Sequence, residues 1–387
     1  MSNTVPRLCI AGGGTGGHVM PALALADAAR ERWSELQVSF IGAERGLEAR
    51  LLPERGENIL LLKMHAVQGV GPVHKLRVLL WEMPLAVYNI CQHWKKQRPT
   101  LLVGVGGYAS ATGVIAALIS RIPVVLYEQN AVPGLVNRTL ARFSKRMMLG
   151  FSGAQAHLKS KETIHTGNIV RTDISNIQWQ QHMPPCLLVL GGSQGARFLN
   201  QNIPQACITL HKQGKNFTVL HVCGGNEKQR SKVESSYQQA GISAEVMTFC
   251  SDMPDFYARG DLMIARSGAM TVAEASMVGL PCIFIPLPHA ADQHQTFNAR
   301  SLSDQGAALL AEQGEYNANT LAQLIGQTLF DSKQLQMMHK ASCLLRVKDA
   351  KQRQLDVLAV WLEKSGLEKD TSKKDESEKT VREEDLI

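Results

Sequence analysis

The chain has 387 residues, 44% of them hydrophobic and 19% charged, with a net charge of +7. That composition excludes an intrinsically disordered or coiled-coil protein, and the length suits two domains better than one. The basic surplus lies in the first 165 residues, which suits an anionic membrane, nucleic acid or a polyphosphate substrate.

The first apolar run, Leu8–Ala11, breaks at glycine and is too short for a secretion signal. It reads as a buried strand that enters the loop Gly12-Gly13-Gly14-Thr15-Gly16-Gly17-His18. The loop contains GxGxxG, whose backbone N–H groups can approach a pyrophosphate at a helix N-terminus. Glu44 follows the next strand, Val38–Ile41, where a dinucleotide enzyme carries its ribose-binding acid. A nicotinamide-dependent oxidoreductase is therefore one reading. His18 opens the following helix and is placed to take a proton from an attacking hydroxyl.

After the strand Ile59–Leu62, Leu76, Leu79, Leu80, Met83 and Val87 recur at helical spacing. Lys75, Arg77, Lys95, Lys96 and Arg98 lie nearby, and Trp81 and Trp94 suit headgroup level. A basic amphipathic segment of this kind lies on a membrane surface. Residues 100–120 carry no charge, but internal glycines and hydroxyls favour a strand, a glycine loop and a buried helix over a span. The strand Leu101–Val103 enters the loop Gly104-Val105-Gly106-Gly107-Tyr108, a second phosphate-sized concavity. Val124–Leu126 is the next strand, followed closely by Glu128 and Asn130.

The second half repeats the alternation, with strands Leu187–Leu190, Thr218–Val222, Leu262–Ala265 and Cys282–Ile285. Its glycine loop, Gly191 to Ala196, includes Ser193 and suits a diphosphate. Arg266 to Glu274 is another strand–turn–helix join, and Glu274, one turn into the helix, can accept two ribose hydroxyls. Gln295 and Asn298 follow, with Asp292 the expected N-cap of their helix. The eight cysteines include no CxxC pair, so zinc or dithiol redox chemistry is not indicated, and free thiols suit a reducing compartment. No DxD motif occurs, so no metal cofactor is expected.

Apolar strands alternating with helices specify an α/β fold: two Rossmann-like, doubly wound domains facing across a cleft, residues 1–165 and 166–348. Helix 349–362 can pack on either domain, with a return to the first expected. The charged tail, 363–387, reads as disordered. Three phosphate-type loops exceed one dinucleotide's needs and suit a nucleotide diphosphate beside a second phosphorylated substrate.

Seven motifs occur in a telling order: GGTGGH (13–18), GVGGY (104–108), EQN (128–130), GNIVRTD (167–173), GGSQGAR (191–197), SGAMTVAE (267–274) and ADQHQTFNA (291–299). In them, and over about residues 7–360, the chain resembles the MurG family. These are bacterial glycosyltransferases that move N-acetylglucosamine from UDP-GlcNAc to lipid I, giving lipid II of peptidoglycan. The resemblance implies the GT-B fold and an inverting displacement by the C4 hydroxyl of the N-acetylmuramyl unit. It implies donor contacts from Thr15, Gly16, Gly17 and Asn130 on one side and Arg171 and Ser193 on the other. Cys250 falls where backbone meets uracil, and Glu274 where a carboxylate holds the ribose. Ala269 to Ala273 (Met270, Thr271 and Val272 between them) and Gln295 fall at diphosphate and sugar contacts. His18 is the implied base, with Glu128 next in line. Gly14, Gly104, Gly106, Gly107 and Tyr108 are assigned to the acceptor's phosphates. Implied partners are UDP-GlcNAc, lipid I, an anionic membrane and other cell-wall synthesis proteins, with no nucleic acid, at the cytoplasmic face of the inner membrane. Two departures stand out: Phe249-Cys250-Ser251-Asp252-Met253 in place of FIDDM, and GNIVRTD without the proline of GNPVR. A UDP-GlcNAc 2-epimerase, which needs no lipid, also fits the nucleotide-sugar reading.

Overall fold

The runs of aliphatic residues read above become parallel strands buried on both faces. The computed structural model describes residues 5–65, 71, 76–159, 162–192, 195–288 and 290–365. Lys75 and Ser193, assigned roles from sequence, and the tail beyond residue 365, expected to be disordered, lie outside the described residues.

The first domain is built from β1 (Arg7–Gly12), α1 (Gly16–Arg32), β2 (Gln37–Ala43), α2 (Glu48–Glu54), β3 (Ile59–Leu62), α3 (Met83–Trp94), β4 (Leu101–Gly106), α4 (Gly107–Ile119), β5 (Val124–Glu128), α5 (Leu135–Leu140), β6 (Arg146–Leu149) and β7 (Thr163–His165). Its strands form one parallel sheet in the order β3-β2-β1-β4-β5-β6-β7. The uncharged stretch 100–120 is β4 and α4, and no described helix is long and apolar enough to cross a membrane.

The second domain follows with α6 (Thr172–Ser175), β8 (Cys186–Leu190), α7 (Arg197–Lys212), β9 (Thr218–Val222), α8 (Glu227–Gln239), β10 (Ala244–Met247), α9 (Met253–Ala258), β11 (Leu262–Ala265), α10 (Ala269–Val278), β12 (Cys282–Phe284), α11 (His294–Ser303), β13 (Ala308–Leu310), α12 (Ala318–Leu329), α13 (Ser332–Leu345) and α14 (Ala350–Leu362). Its sheet runs β10-β9-β8-β11-β12-β13, again all parallel. In each sheet the strand order reverses beside the first strand of the domain. There the βα loops part and leave a crevice at the carboxyl ends of the strands.

The last helix, α14, crosses back to the first domain. Leu355, Val357, Leu358 and Leu362 bury in one core with Leu8, Ile10 and Trp33. Each such side chain contributes about 1.5–3 kcal/mol on burial, so the two domains are tied at both ends of the second. The Arg32 guanidinium adds ion pairs to Asp356 (2.6 Å) and Glu363 (3.0 Å). Asp292 does not cap α11. It adopts φ 49° and pairs with Arg138 of the first domain, while the helix starts after Gln293.

Candidate functional site

Two glycine loops far apart in sequence meet because β1 and β4 are adjacent. Gly12 pairs with Gly106 after a register shift at the end of β1. Gly106 and Gly107 have φ of 102° and 80°, and a Cβ on Gly107 would lie 2.9 Å from the Gly13 carbonyl oxygen. The left-handed backbone and the close approach both require glycine. Half-buried His18 lies against this junction, with Nδ1 3.1 Å from the Gly13 carbonyl oxygen. A carbonyl can only accept, so Nδ1 carries the proton of the neutral ring and Nε2 keeps its lone pair. Nε2 faces Gly106, where an added Cβ would approach it to 2.9 Å.

The carboxylate under the first loop is Glu48, which sequence reading missed. It is 1% exposed, accepts the Gly14 N–H at 2.7 Å and the Ala43 N–H at 2.9 Å, and is walled by Gly13, Gly42 and Gly46. Glu44, expected to serve a ribose, is exposed. With the Gly14 amide committed to Glu48, the first loop does not offer the full pyrophosphate cradle of a dinucleotide enzyme, and the assignment of Gly14 to a phosphate is corrected likewise. Gly104 is also corrected: it is buried within β4, where a Cβ would strike Ser110 and Leu126. Tyr108, in the first turn of α4, is half-buried against the core under α3.

A cleft of about 850 Å³ lies between the domains. Thr15, Gly16 and Gly17 line it from the start of α1. Arg171, Ala269, Met270, Thr271, Glu274 and Gln295 line it from the second domain. Helix phase sorts the run 269–274, because successive residues turn by about 100°. Val272 is fully buried and its amide is spent on the Gly268 carbonyl, while Ala273 faces a separate cavity behind α10. Neither meets the cleft, and both are corrected. The N-terminus of α10 nonetheless carries a positive dipole end that suits a diphosphate.

Glu274 accepts a 2.7 Å hydrogen bond from the hydroxyl of fully buried Tyr257. Burial pushes its carboxyl up to about 7, against the lowering effect of Tyr257 and of nearby Arg171. Arg171 is half exposed and held by Asp173, so its guanidinium stays at the cleft mouth. Arg266, also at the cleft, donates to the carbonyls of Ile285 and Pro286 and to Gln313. Gln295 accepts the Leu287 N–H, which closes the loop between β12 and α11. The Cys250 thiol donates to the Asp252 carbonyl and packs against the second domain's core.

Glu128 is not placed as a base. It is 2% exposed and accepts four hydrogen bonds, from the Asn130 N–H and amide, the Gly134 N–H and Asn137. With its lone pairs taken it fixes the EQN loop instead. That loop meets the second domain through Asn298, which is fully buried. Asn298 accepts from the Ala131 N–H (2.8 Å) and donates to Asn130 Oδ1 and the Ser267 carbonyl, both at 3.1 Å.

The glycosyltransferase family 28 N-terminal domain matches residues 8–149, and the C-terminal domain of the same family matches residues 186–354. A protein of Syntrophotalea carbinolica is 40% identical over 355 residues, spanning 91% of this chain and 98% of the relative. One of Myxococcus xanthus is 37% identical over 354 residues, spanning 91% and 92%. Both are named UDP-N-acetylglucosamine–N-acetylmuramyl-(pentapeptide) pyrophosphoryl-undecaprenol N-acetylglucosamine transferase. The chain belongs to this transferase family. Acinetobacter baumannii MurG superposes with a TM-score of 0.77 at 30% identity, over 92% of this chain and 99% of that one. The calicheamicin glycosyltransferase CalG4, at 14% identity with a TM-score of 0.65 over 92% and 98%, shares the GT-B fold alone.

Away from the cleft, the first domain of this transferase carries an apolar surface. A π-helical turn, Val78–Glu82, leads into α3. Val78, Ala86, Val87, Ile90 and Trp94 point into the core. Val87 and Trp94 are therefore corrected, since neither reaches a membrane. Leu76, Leu79, Leu80, Trp81, Leu85 and Tyr88 are exposed, and Met83 is half-buried. Among the described residues no group of three or more His, Cys, Asp or Glu could hold a metal ion.

Proposed function

We propose that the cleft binds UDP-N-acetylglucosamine and that the first domain presents lipid I to it, giving lipid II and UDP. The observation that carries this reading is the convergence of two helix N-termini and Glu274 on one interdomain cleft. Glu274 takes the two ribose hydroxyls as a charge-assisted acceptor. The amides of Ala269, Met270 and Thr271 face the diphosphate, with Arg171 beside them, and Thr15 to Gly17 close the first-domain side. Asn130, held at the domain junction by Glu128 and Asn298, is the candidate for a sugar contact.

The C4 hydroxyl of the acceptor attacks C1 of the donor sugar. The O4–C1 bond forms as the bond from C1 to the UDP oxygen breaks, and the configuration inverts. His18 Nε2 takes the hydroxyl proton, because Nδ1–H is already given to the Gly13 carbonyl. Charge that develops on the departing UDP falls on fixed amide dipoles and guanidinium groups. Gly106 and Gly107, across from His18, are the candidates for the acceptor's phosphates.

The exposed apolar face of the turn and α3, with Arg77 on it and Lys95, Lys96 and Arg98 at its end, supports peripheral attachment to an anionic membrane. On this reading the surface rests on the cytoplasmic face of the inner membrane, among other cell-wall synthesis proteins. The deciding experiment incubates the full chain with UDP-N-acetylglucosamine and a lipid I analogue. Equimolar UDP and disaccharide-lipid are expected. UDP or free-sugar release independent of the acceptor refutes the transferase reading and favours an epimerase or hydrolase.

A further inference from the structure

We propose that Tyr257 is a positioning residue for donor recognition: its hydroxyl holds Glu274 in the ionised, ribose-accepting state, and the pair makes UDP affinity depend on pH near neutrality. The proposal rests on the reading of Glu274 as the ribose carboxylate.

Glu274 lies just over one turn into α10, the helix that follows strand β11, and its side chain lines the cleft. Tyr257, in the last turn of α9, is fully buried and packed with Phe256 in the second domain's core. Its ring position is therefore fixed, and its hydroxyl reaches Glu274 Oε2 at 2.7 Å. A phenol so buried is pushed well above its usual 10, so it remains a donor at every pH the enzyme meets. A permanent donor on one oxygen has two consequences. It fixes the carboxylate plane, leaving the other oxygen to the ribose hydroxyls, and it favours the anion over the acid.

The groups around Glu274 set the balance. Tyr257 faces it from α9, Arg171 from the segment before α6 and Asp173 from α6 itself, while the Cys250 and Cys282 thiols lie near the Tyr257 side. Arg171 favours the anion and Asp173 opposes it, but these two already pair with each other. Burial dominates and leaves the carboxyl at about 7, so the site stands close to losing its charge. The sign follows directly. An ionised Glu274 accepts both ribose hydroxyls, so affinity is full above its pKa and falls as pH drops through it. Removing the Tyr257 hydroxyl raises the pKa further and moves that loss to higher pH.

The test titrates UDP into the full chain by calorimetry from about pH 6 to about pH 8.5, spanning the carboxyl's displaced range. Wild type, Tyr257→Phe and Glu274→Gln are compared as ratios at each pH, so the ionisation of UDP itself cancels. Phenylalanine fills the same volume, and melting temperature without UDP checks the fold. Tyr257→Phe should bind about tenfold more weakly near pH 7 and recover toward wild type at the alkaline end. Glu274→Gln should be weaker at the alkaline end and converge with wild type at the acid end. Replacing Tyr257 by 3-fluorotyrosine, a stronger donor of nearly the same size, should shift the wild-type profile to lower pH. A Tyr257→Phe deficit that is constant across pH, or absent, overturns the inference while leaving the ribose assignment intact. Wild-type affinity in Glu274→Gln at every pH overturns the ribose assignment and the inference with it.

Discussion

Glu48 is the residue on which the first glycine loop most depends. Its carboxylate is 1% exposed and spans two backbone donors, Ala43 at 2.9 Å and Gly14 at 2.7 Å. The Ala43 amide belongs to a fully buried residue, whereas Gly14 is exposed. Glu48→Gln keeps one carbonyl oxygen, which stays on Ala43. The Gly14 amide then faces an NH2 and turns to water. Losing one charge-assisted bond with a solvated alternative costs about 1–2 kcal/mol. Glu48→Ala frees both donors and leaves a void among Gly13, Gly42 and Gly46, whose own hydrogens crowd the carboxylate. A buried orphan donor, a lost bond and a cavity together cost about 3–5 kcal/mol. The assay pairs urea unfolding with kcat and UDP affinity. Glu48→Gln should fold, bind UDP somewhat more weakly through Thr15 to Gly17, and lose rate because His18 is carried on the same loop. An alanine variant destabilised by less than about 1 kcal/mol, with a glutamine variant of wild-type rate, would refute the tether.

His18→Ala should lower kcat by about 10²–10⁴-fold with UDP affinity nearly unchanged, since the imidazole's hydrogen bond goes to the Gly13 carbonyl and not to Thr15, Gly16 or Gly17; wild-type kcat would remove it as the base. Asn298→Ala deletes three hydrogen bonds, two of them between the domains, and strands the buried Ala131 N–H, so stability should fall by about 2–4 kcal/mol in urea unfolding, and a change within error would show that the domains close without it. Leu79→Glu with Leu80→Glu should abolish sedimentation with anionic vesicles and leave UDP binding intact, because both side chains are exposed. Loss of UDP binding as well would mean that this face is structural.

Much of the site is legible one residue at a time. The strands announce themselves as aliphatic runs because both faces of a parallel sheet are buried. The glycine loops and Glu274 follow strands at the spacing a βα join requires. The short strands Arg146–Leu149, Thr163–His165, Ala244–Met247 and Ala308–Leu310 give a weaker signal, since three or four residues are too few to show a period. Glu48 has no local mark at all: it reads as a helix-start acid, and only the folding of β2 and α2 beneath the first loop makes it a buried acceptor.

The sequence by itself determined the alternation of strand and helix, the two glycine-loop domains, the identity of the transferase family and the chemical types at the cleft, because these follow from side-chain period and from local turn chemistry. Only the tertiary structure decided that Gly106–Gly107 faces His18, that Glu128 is a strut and not a base, that Val272 and Ala273 turn away from the cleft, and that α14 returns to the first domain. Each of these depends on strand order, on helix phase or on which donors reach a carboxylate. Those are relations between segments distant along the chain, which no single stretch of residues encodes.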